Sequence, residues 1–224
     1  MNRRRAAHLA LGGLALAALS GCAAVLVPAA VAAAPELIAG AMGQFNFRSE
    51  FDEIKPLVRA RNWLGLSALA RAKLVREPDR GEWWQIAGYG HLQAGELALA
   101  RDAFARASRL LPEEVGIWNL YAHTLSRMGD TRGAAQVIDR ALQTDPTSTL
   151  AWVISGDLHA EAGRPREALR AYDRALEIDK RDIFAWLAVG LLAKRQGDRA
   201  AQDRAIAALK QLYPPFAEQL AAAP

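Results

Sequence analysis

A single cysteine, Cys22, and four histidines, His8, His91, His123 and His159, are the side chains of this 224-residue chain best suited to nucleophilic or metal chemistry. One thiol cannot build a disulfide framework, so Cys22 is a buried small hydrophobe or a site of covalent modification. Its setting decides between these. Cys22 closes the run Leu19-Ser20-Gly21-Cys22, behind three arginines (Arg3, Arg4, Arg5) and an apolar stretch from Leu9 to Leu19. A cationic head, a short apolar core and small residues are the layout of a secretory signal, and the core is too short to cross a bilayer. Catalytic alternatives are poorly supplied. The chain has no Gly-rich phosphate loop, no HExxH and no G-x-S-x-G, so neither nucleotide chemistry nor hydrolysis has its usual machinery.

Leu19, Ser20, Gly21 and Cys22 resemble the bacterial lipobox, where a peptidase cleaves before a cysteine that receives the lipid. The resemblance implies a signal over residues 1–21 and lipidation at Cys22. Ala23, standing where Asp would signal inner-membrane retention, implies the outer membrane, with the domain facing the periplasm. Each buried acyl methylene contributes about 0.8 kcal/mol, so several chains anchor firmly. Two other readings compete for the same residues: an uncleaved anchor from Leu9 through Ala34, interrupted by Gly12, Gly13, Gly21 and Pro28, and ordinary cleavage near Ala33, close before Pro35. Loss of the signal removes His8 and three arginines, and the formal charge falls from +4 to +1. No basic excess remains for phosphates, which withdraws the case for a nucleic-acid partner. Residues 22–46, rich in Ala with Pro28 and Pro35, read as a tether or as an apolar segment lying against the membrane or a partner.

The elements behind these residues follow from composition and period. Hydrophobic residues make up 52% of the chain but aromatics only 7%; the excess is largely Ala, which favours helices and lets them pack closely. Trp84, Trp118, Trp152 and Trp186 recur every 34 residues, and Gly95, Gly129, Gly163 and Gly197 keep the same step. Ala100, Ala134 and Ala168, then Phe104, Ile138, Tyr172 and Ile206, then Pro78, Pro112 and Pro146 follow in register. A fixed period of this length is the mark of a stacked repeat. Within one unit Trp84, Ala87, Gly88 and His91 share a helical face, as do Ala100, Phe104 and Ala107. Trp84 and Phe104 are expected to fill the space between helix pairs while Gly88 and Ala100 allow close approach. The four glycines are expected to take the left-handed conformation that ends each first helix, and Pro165 suits the first turn of the helix it opens. Lys180, standing where the other repeats have Pro, predicts that the preceding helix runs on slightly.

This pattern resembles the tetratricopeptide repeat, and the resemblance covers residues 47–216. It implies an all-α fold, a right-handed superhelical solenoid of about five helix-turn-helix repeats: 47–80 (degenerate), 81–114, 115–148, 149–182 and 183–216 (degenerate). Residues 217–224 follow as a C-terminal cap or tail, with a short capping helix expected from Phe216 to Ala222. In the family, positions five and nine of each repeat face the inner groove. Here they are Gln85, Tyr89, Asn119, His123, Val153, Asp157, Leu187 and Leu191, preceded by Phe51 and Lys55. Amides and an aromatic at its centre and leucines toward its end suit a peptide or helix better than a phosphate polymer. Leu187 and Leu191 equally suit burial under the cap. The well-formed repeats place no Lys or Arg at these positions, so the carboxylate clamp of chaperone-binding relatives is not expected. His91 and His159, two repeats apart, are expected to pack between helices, too distant to share a metal ion. The second helices carry Arg101, Arg106, Arg109, Arg140, Arg166, Arg170 and Arg174 among Asp102, Asp139, Glu167 and Asp173, a solvated face or a basic docking surface.

A lipid anchor before such repeats resembles pilotin-type and tight-adherence pilus assembly lipoproteins. The expectation is a scaffold without catalysis, cofactor or metal, holding a protein partner such as a peptide, a helix or a secretin-like subunit at the outer membrane. A regulatory adaptor for a periplasmic protease or cell-wall hydrolase, or a scaffold in polysaccharide export, stays open on the same residues.

Overall fold

The computed structural model describes residues 51–222. The expected signal, the lipobox with Cys22 and the tether lie outside the described residues. Among the described residues the chain forms eleven α-helices and no strand: α1 (Phe51–Arg59), α2 (Trp63–Leu74), α3 (Gly81–Gln93), α4 (Leu97–Leu110), α5 (Val115–Arg127), α6 (Thr131–Thr144), α7 (Thr149–Glu161), α8 (Pro165–Ile178), α9 (Ile183–Gln196), α10 (Arg199–Leu212) and α11 (Pro214–Ala222). Each odd helix pairs with the even helix that follows, each even helix from α4 to α8 packs on the next odd one, and α7 also touches α5 and α9. This is the nearest-neighbour geometry of a superhelical solenoid. None of these helices is long and apolar enough to cross a membrane.

The turns inside each repeat are made as the spacing predicts. Gly95, Gly129, Gly163 and Gly197 have φ between +70° and +82°, and the residue after Gly95 sends its N–H back to the His91 carbonyl at 2.9 Å. That closes the last turn of the first helix with a left-handed residue that only glycine takes freely. One period before Gly95 stands Arg61, with φ +51°. A side chain there costs about 1 kcal/mol, which is the physical content of calling the first repeat degenerate. Two of the second helices, α6 and α10, start on capping carboxylates, Asp130 accepting from Gly133 N–H at 2.8 Å and Asp198 from Ala201 N–H at 3.0 Å. Pro165 opens α8.

Lys180 does not lengthen its helix. α4, α6, α8 and α10 end at Leu110, Thr144, Ile178 and Leu212, each in the same register. The stop is set before residue 180: the backbone leaves the helical region at Asp179, φ −138° and ψ 100°, as it does at Asp145. The C-terminal helix begins at Pro214, two residues earlier than expected. It seals the stack with Phe216, Ala217 and Leu220, all buried, the Phe216 ring lying 6.3 Å from Phe184 and 4.7 Å from Tyr213.

The repeated tryptophans have a different task from the expected one. Trp84, Trp118, Trp152 and Trp186 are half-buried. Their indole N–H groups donate to the carbonyls of Pro78, Pro112, Pro146 and Lys180, each six residues back, at 2.7 to 2.9 Å. Each therefore clasps the loop that joins its repeat to the one before. The fully buried residue is one position earlier, at Trp83, Ile117, Ala151 and Ala185, all 0% exposed. Phe104 does fill the interior, as expected, and Gly88 makes room for it: a Cβ on Gly88 would stand 2.8 Å from Phe104 Cε1. Gly156 stands in the same relation to the Tyr172 ring. Gly156→Ala is expected to destabilise the chain, since overpacking against an enclosed ring costs about 1–3 kcal/mol and the gain in helix propensity returns at most about 1; a lowered urea midpoint is the check.

Candidate functional site

The residues expected on the inner face occupy equivalent places on successive first helices: Gln85 and Tyr89 on α3, Asn119 and His123 on α5, Val153 and Asp157 on α7, Leu187 and Leu191 on α9. Phe51 and Lys55 precede them on α1. The structure brings them into one row but not into an open trough. Tyr89, Asn119, His123, Val153 and Leu187 are buried, while Gln85, Asp157 and Leu191 are half-buried. Val153 and Leu187 are core residues, in one cluster with Phe184, Phe216 and Leu220. The reason is packing between first helices: α7 meets α5 on one side and α9 on the other, so apolar side chains on its facing surface are drawn in. The apolar end of the expected groove therefore belongs to the capped C-terminal core.

Several polar atoms of the row are enclosed without partners. The Tyr89 hydroxyl, both side-chain atoms of the Asn119 amide, both ring nitrogens of His123 and Asp157 Oδ2 make no hydrogen bond. Leaving such a group unpaired costs about 1–3 kcal/mol, so a run of them is a departure from the usual satisfaction of buried polar atoms. Burial raises the Tyr89 phenol and keeps it neutral. Burial, assisted by the positive charge of Arg127, pushes the His123 imidazole down to about 3. Asp157 is pushed up to about 7, by burial first and by the nearby Glu161 carboxylate, against the opposing pull of the Tyr172 hydrogen bond and of Arg195. The Tyr172 hydroxyl donates to Asp157 Oδ1 at 2.7 Å.

A second set of residues was not singled out by position alone. Arg127 and Glu161 stand four residues beyond His123 and Asp157, on the same helical faces. Arg127 donates to the Leu92 carbonyl at 3.3 Å and the Ser126 hydroxyl to Glu161 Oε2 at 3.2 Å, each bond spanning 35 residues and tying one first helix to the next. The i, i+4 step from each position-nine residue is the signal that finds them. The other histidines take structural places. His91 Nδ1 lies 2.6 Å from Glu96 Oε2 at the turn, and His159 is half-buried with its imidazole pushed down by burial. Among the described residues no three His, Cys, Asp or Glu side chains converge as a metal site.

Comparison with known proteins agrees with this architecture. A tetratricopeptide repeat profile matches residues 127–195. The solved structure of TTC0263, a thermophilic TPR protein of Thermus thermophilus, is similar with a TM-score of 0.67 at 16% identity, over 78% of this chain and 98% of that one. MamA is similar with a TM-score of 0.58 at 16% identity, over 75% and 93% of the two chains. YrrB, described as a TPR protein with an unusual peptide-binding site, gives 0.55 at 18% identity over 74% and 87%. No curated protein sequence matches the chain. The described residues thus form an all-α superhelix with the fold of tetratricopeptide repeat proteins, and residues 127–195 match that repeat's profile.

Proposed function

We propose that this chain is a lipid-anchored scaffold of the bacterial envelope, held at the outer membrane through Cys22 and binding a protein partner on the inner face of its repeats. The observation that carries the binding role is the enclosed row of Tyr89, Asn119, His123 and Asp157, each with a side-chain polar atom that has no hydrogen-bond partner. Donors and acceptors kept unpaired at a cost to stability are what an extended peptide backbone or a polar helix face requires. YrrB, whose description names a peptide-binding site, lends the same fold a precedent for that use. The lipobox-like run Leu19 to Cys22 supports the anchor, and the combination supports assembly of an envelope machine, a pilus or secretion system, as the setting.

Crosslinking in intact cells followed by pull-down of the lipidated protein identifies the partner. An outer-membrane assembly component is the expected catch; recovery of soluble hydrolases or proteases alone overturns the assembly reading in favour of an adaptor. Cys22→Ser is expected to move the protein from the membrane to the soluble fraction. Retention of the variant in the membrane would instead select the uncleaved anchor from Leu9 through Ala34.

A further inference from the structure

The second helices differ from the first in charge and in place. Together α2, α4, α6, α8 and α10 carry thirteen Lys and Arg against six Asp and Glu, whereas the other six helices carry five against six. First helices touch one another along the stack, α3 with α5, α5 with α7 and α7 with α9, while among the described residues no second helix touches another. The second helices therefore stand on the outer, wider side of the superhelix. On α6, α8 and α10 the positions 132, 136 and 140, then 166, 170 and 174, then 200, 204 and 208 follow steps of four, so each set makes one line along its helix, and the 34-residue period puts the three lines in register. They hold Arg132, Arg140, Arg166, Arg170, Arg174 and Arg204, all exposed, and no acid. Asp139, Glu167, Asp173 and Asp203 are the nearest acids in sequence, yet among the described residues only Arg174 of the six has an ion-pair partner, Glu177 at 2.7 Å. Like charges four residues apart on a helix repel, so Arg166, Arg170 and Arg174 are held on α8 against their own repulsion. The small charge of the whole chain conceals this stripe because the compensating acids lie in the loops and on the other helices.

We propose that the stripe docks on an anionic phospholipid bilayer, the membrane to which Cys22 ties the chain. Charge complementarity commits the occupant: four to eight arginines on one surface attract anionic headgroups, each by a factor of about five. A bilayer presents phosphates at every spacing and needs no cavity, and a guanidinium fork takes two phosphate oxygens at once. Residues 23–50 separate Cys22 from the first described helix and reach at most about 100 Å. The lipid thus keeps the domain near the surface without fixing which side faces it, and the arginines fix the side. Docked so, the outer face meets the membrane and the first helices turn toward the aqueous side, where a protein partner arrives. This inference rests on the lipid-anchor reading above and adds the orientation of the domain to it.

The test uses the full chain, purified in detergent and reconstituted into vesicles of phosphatidylcholine alone or of phosphatidylcholine mixed with phosphatidylglycerol. Phenylglyoxal, which modifies accessible guanidinium groups, is added, and the rate at each arginine is read by mass spectrometry. On the anionic vesicles the stripe arginines are expected to react at least about tenfold more slowly than on the neutral ones, the effect of two or more contacts at about fivefold each. Arg127 and Arg195, exposed on the first helices, are expected to react alike on both. About 1 M salt, where the Debye length falls to about 3 Å, is expected to abolish the difference. In a protein with Arg132→Gln, Arg166→Gln, Arg170→Gln and Arg204→Gln, the remaining Arg140 and Arg174 are expected to lose their protection. Exposed substitutions of this kind leave stability nearly unchanged, and a circular dichroism spectrum checks the fold. Equal rates on the two kinds of vesicle, or equal protection of Arg127 and Arg195, would overturn the proposal. So would protection by added polyphosphate with none by the anionic bilayer, which assigns the stripe to a soluble polyanion. The mass of the Cys22 peptide in the same spectra reports acylation separately, so failure of the anchor reading and failure of the docking face are told apart.

Discussion

Trp83→Ala is expected to cost about 3–5 kcal/mol of stability, the range for deleting an enclosed aromatic, whereas Trp84→Phe costs about 1, the worth of one hydrogen bond. The two residues are adjacent in sequence and identical in type, so composition and propensity cannot separate them. Position does. Trp83 is 0% exposed and shares a buried cluster with Ile54, Val58, Leu66, Ala70 and Leu74 of the first pair, with Lys73 Nζ and Arg80 Cζ 5.7 and 5.8 Å from its ring centre. Truncation opens a cavity where α3 meets the shortest, least regular repeat, the one that already carries Arg61 in a left-handed turn. Trp84 is only partly buried, and phenylalanine preserves most of its contact while losing the bond to the Pro78 carbonyl. Urea unfolding followed by far-ultraviolet circular dichroism measures both. Equal losses would return Trp84 to the interior role that its periodicity suggested.

That reversal shows what a repeat period exposes and what it conceals. The tryptophan column stands out because its task needs an indole N–H: nothing else reaches a carbonyl six residues back from a half-buried ring. The interior column of Trp83, Ile117, Ala151 and Ala185 is equally fixed in space, yet its residues share no type, because a buried site demands volume matched to its neighbours and each interface divides that volume differently. Turn glycines are legible for the opposite reason, since φ near +80° admits few substitutes. Arg61 shows that the turn can be made without one. The inner face was legible as a set of helical positions, but not its depth. How far Asn119 or Leu187 sinks depends on how closely successive first helices approach, a property of the superhelix that no single repeat encodes. The bond between Tyr172 and Asp157 crosses from a second helix to a first helix within one repeat and joins two columns that the period treats as independent.

The Asp157→Asn protein is expected to be more stable than wild type at pH 8, by a few kcal/mol in order of magnitude, and to lose stability on acidification where wild type does not. His123 sets the second effect. Its folded imidazole is held down to about 3, by burial first and by Arg127 second, against about 6.5 in the unfolded chain. Only the unfolded state gains a proton between those values, so stability falls by about 1.4 kcal/mol per unit as pH drops from 6.5 toward 3. Asp157 acts in the opposite sense. Its folded carboxyl titrates near 7, against 3.8 unfolded. The folded state therefore keeps a proton that the unfolded state has released, a contribution fully present below 3.8 and lost as pH rises to about 7. Between 3.8 and 6.5 the two slopes cancel, and wild type hides the liability of His123. Asparagine at 157 still accepts from Tyr172, removes the buried charge that Glu161 opposes and Arg195 favours, and leaves the histidine slope bare. Urea midpoints from pH 4 to pH 8 on both proteins decide the matter. A variant less stable than wild type at pH 8 would make Asp157 a structural asset of the repeat and would remove the reason for treating its free oxygen as reserved for a partner; a gain in stability joined to weaker peptide binding is what a binding group produces and a packing group does not.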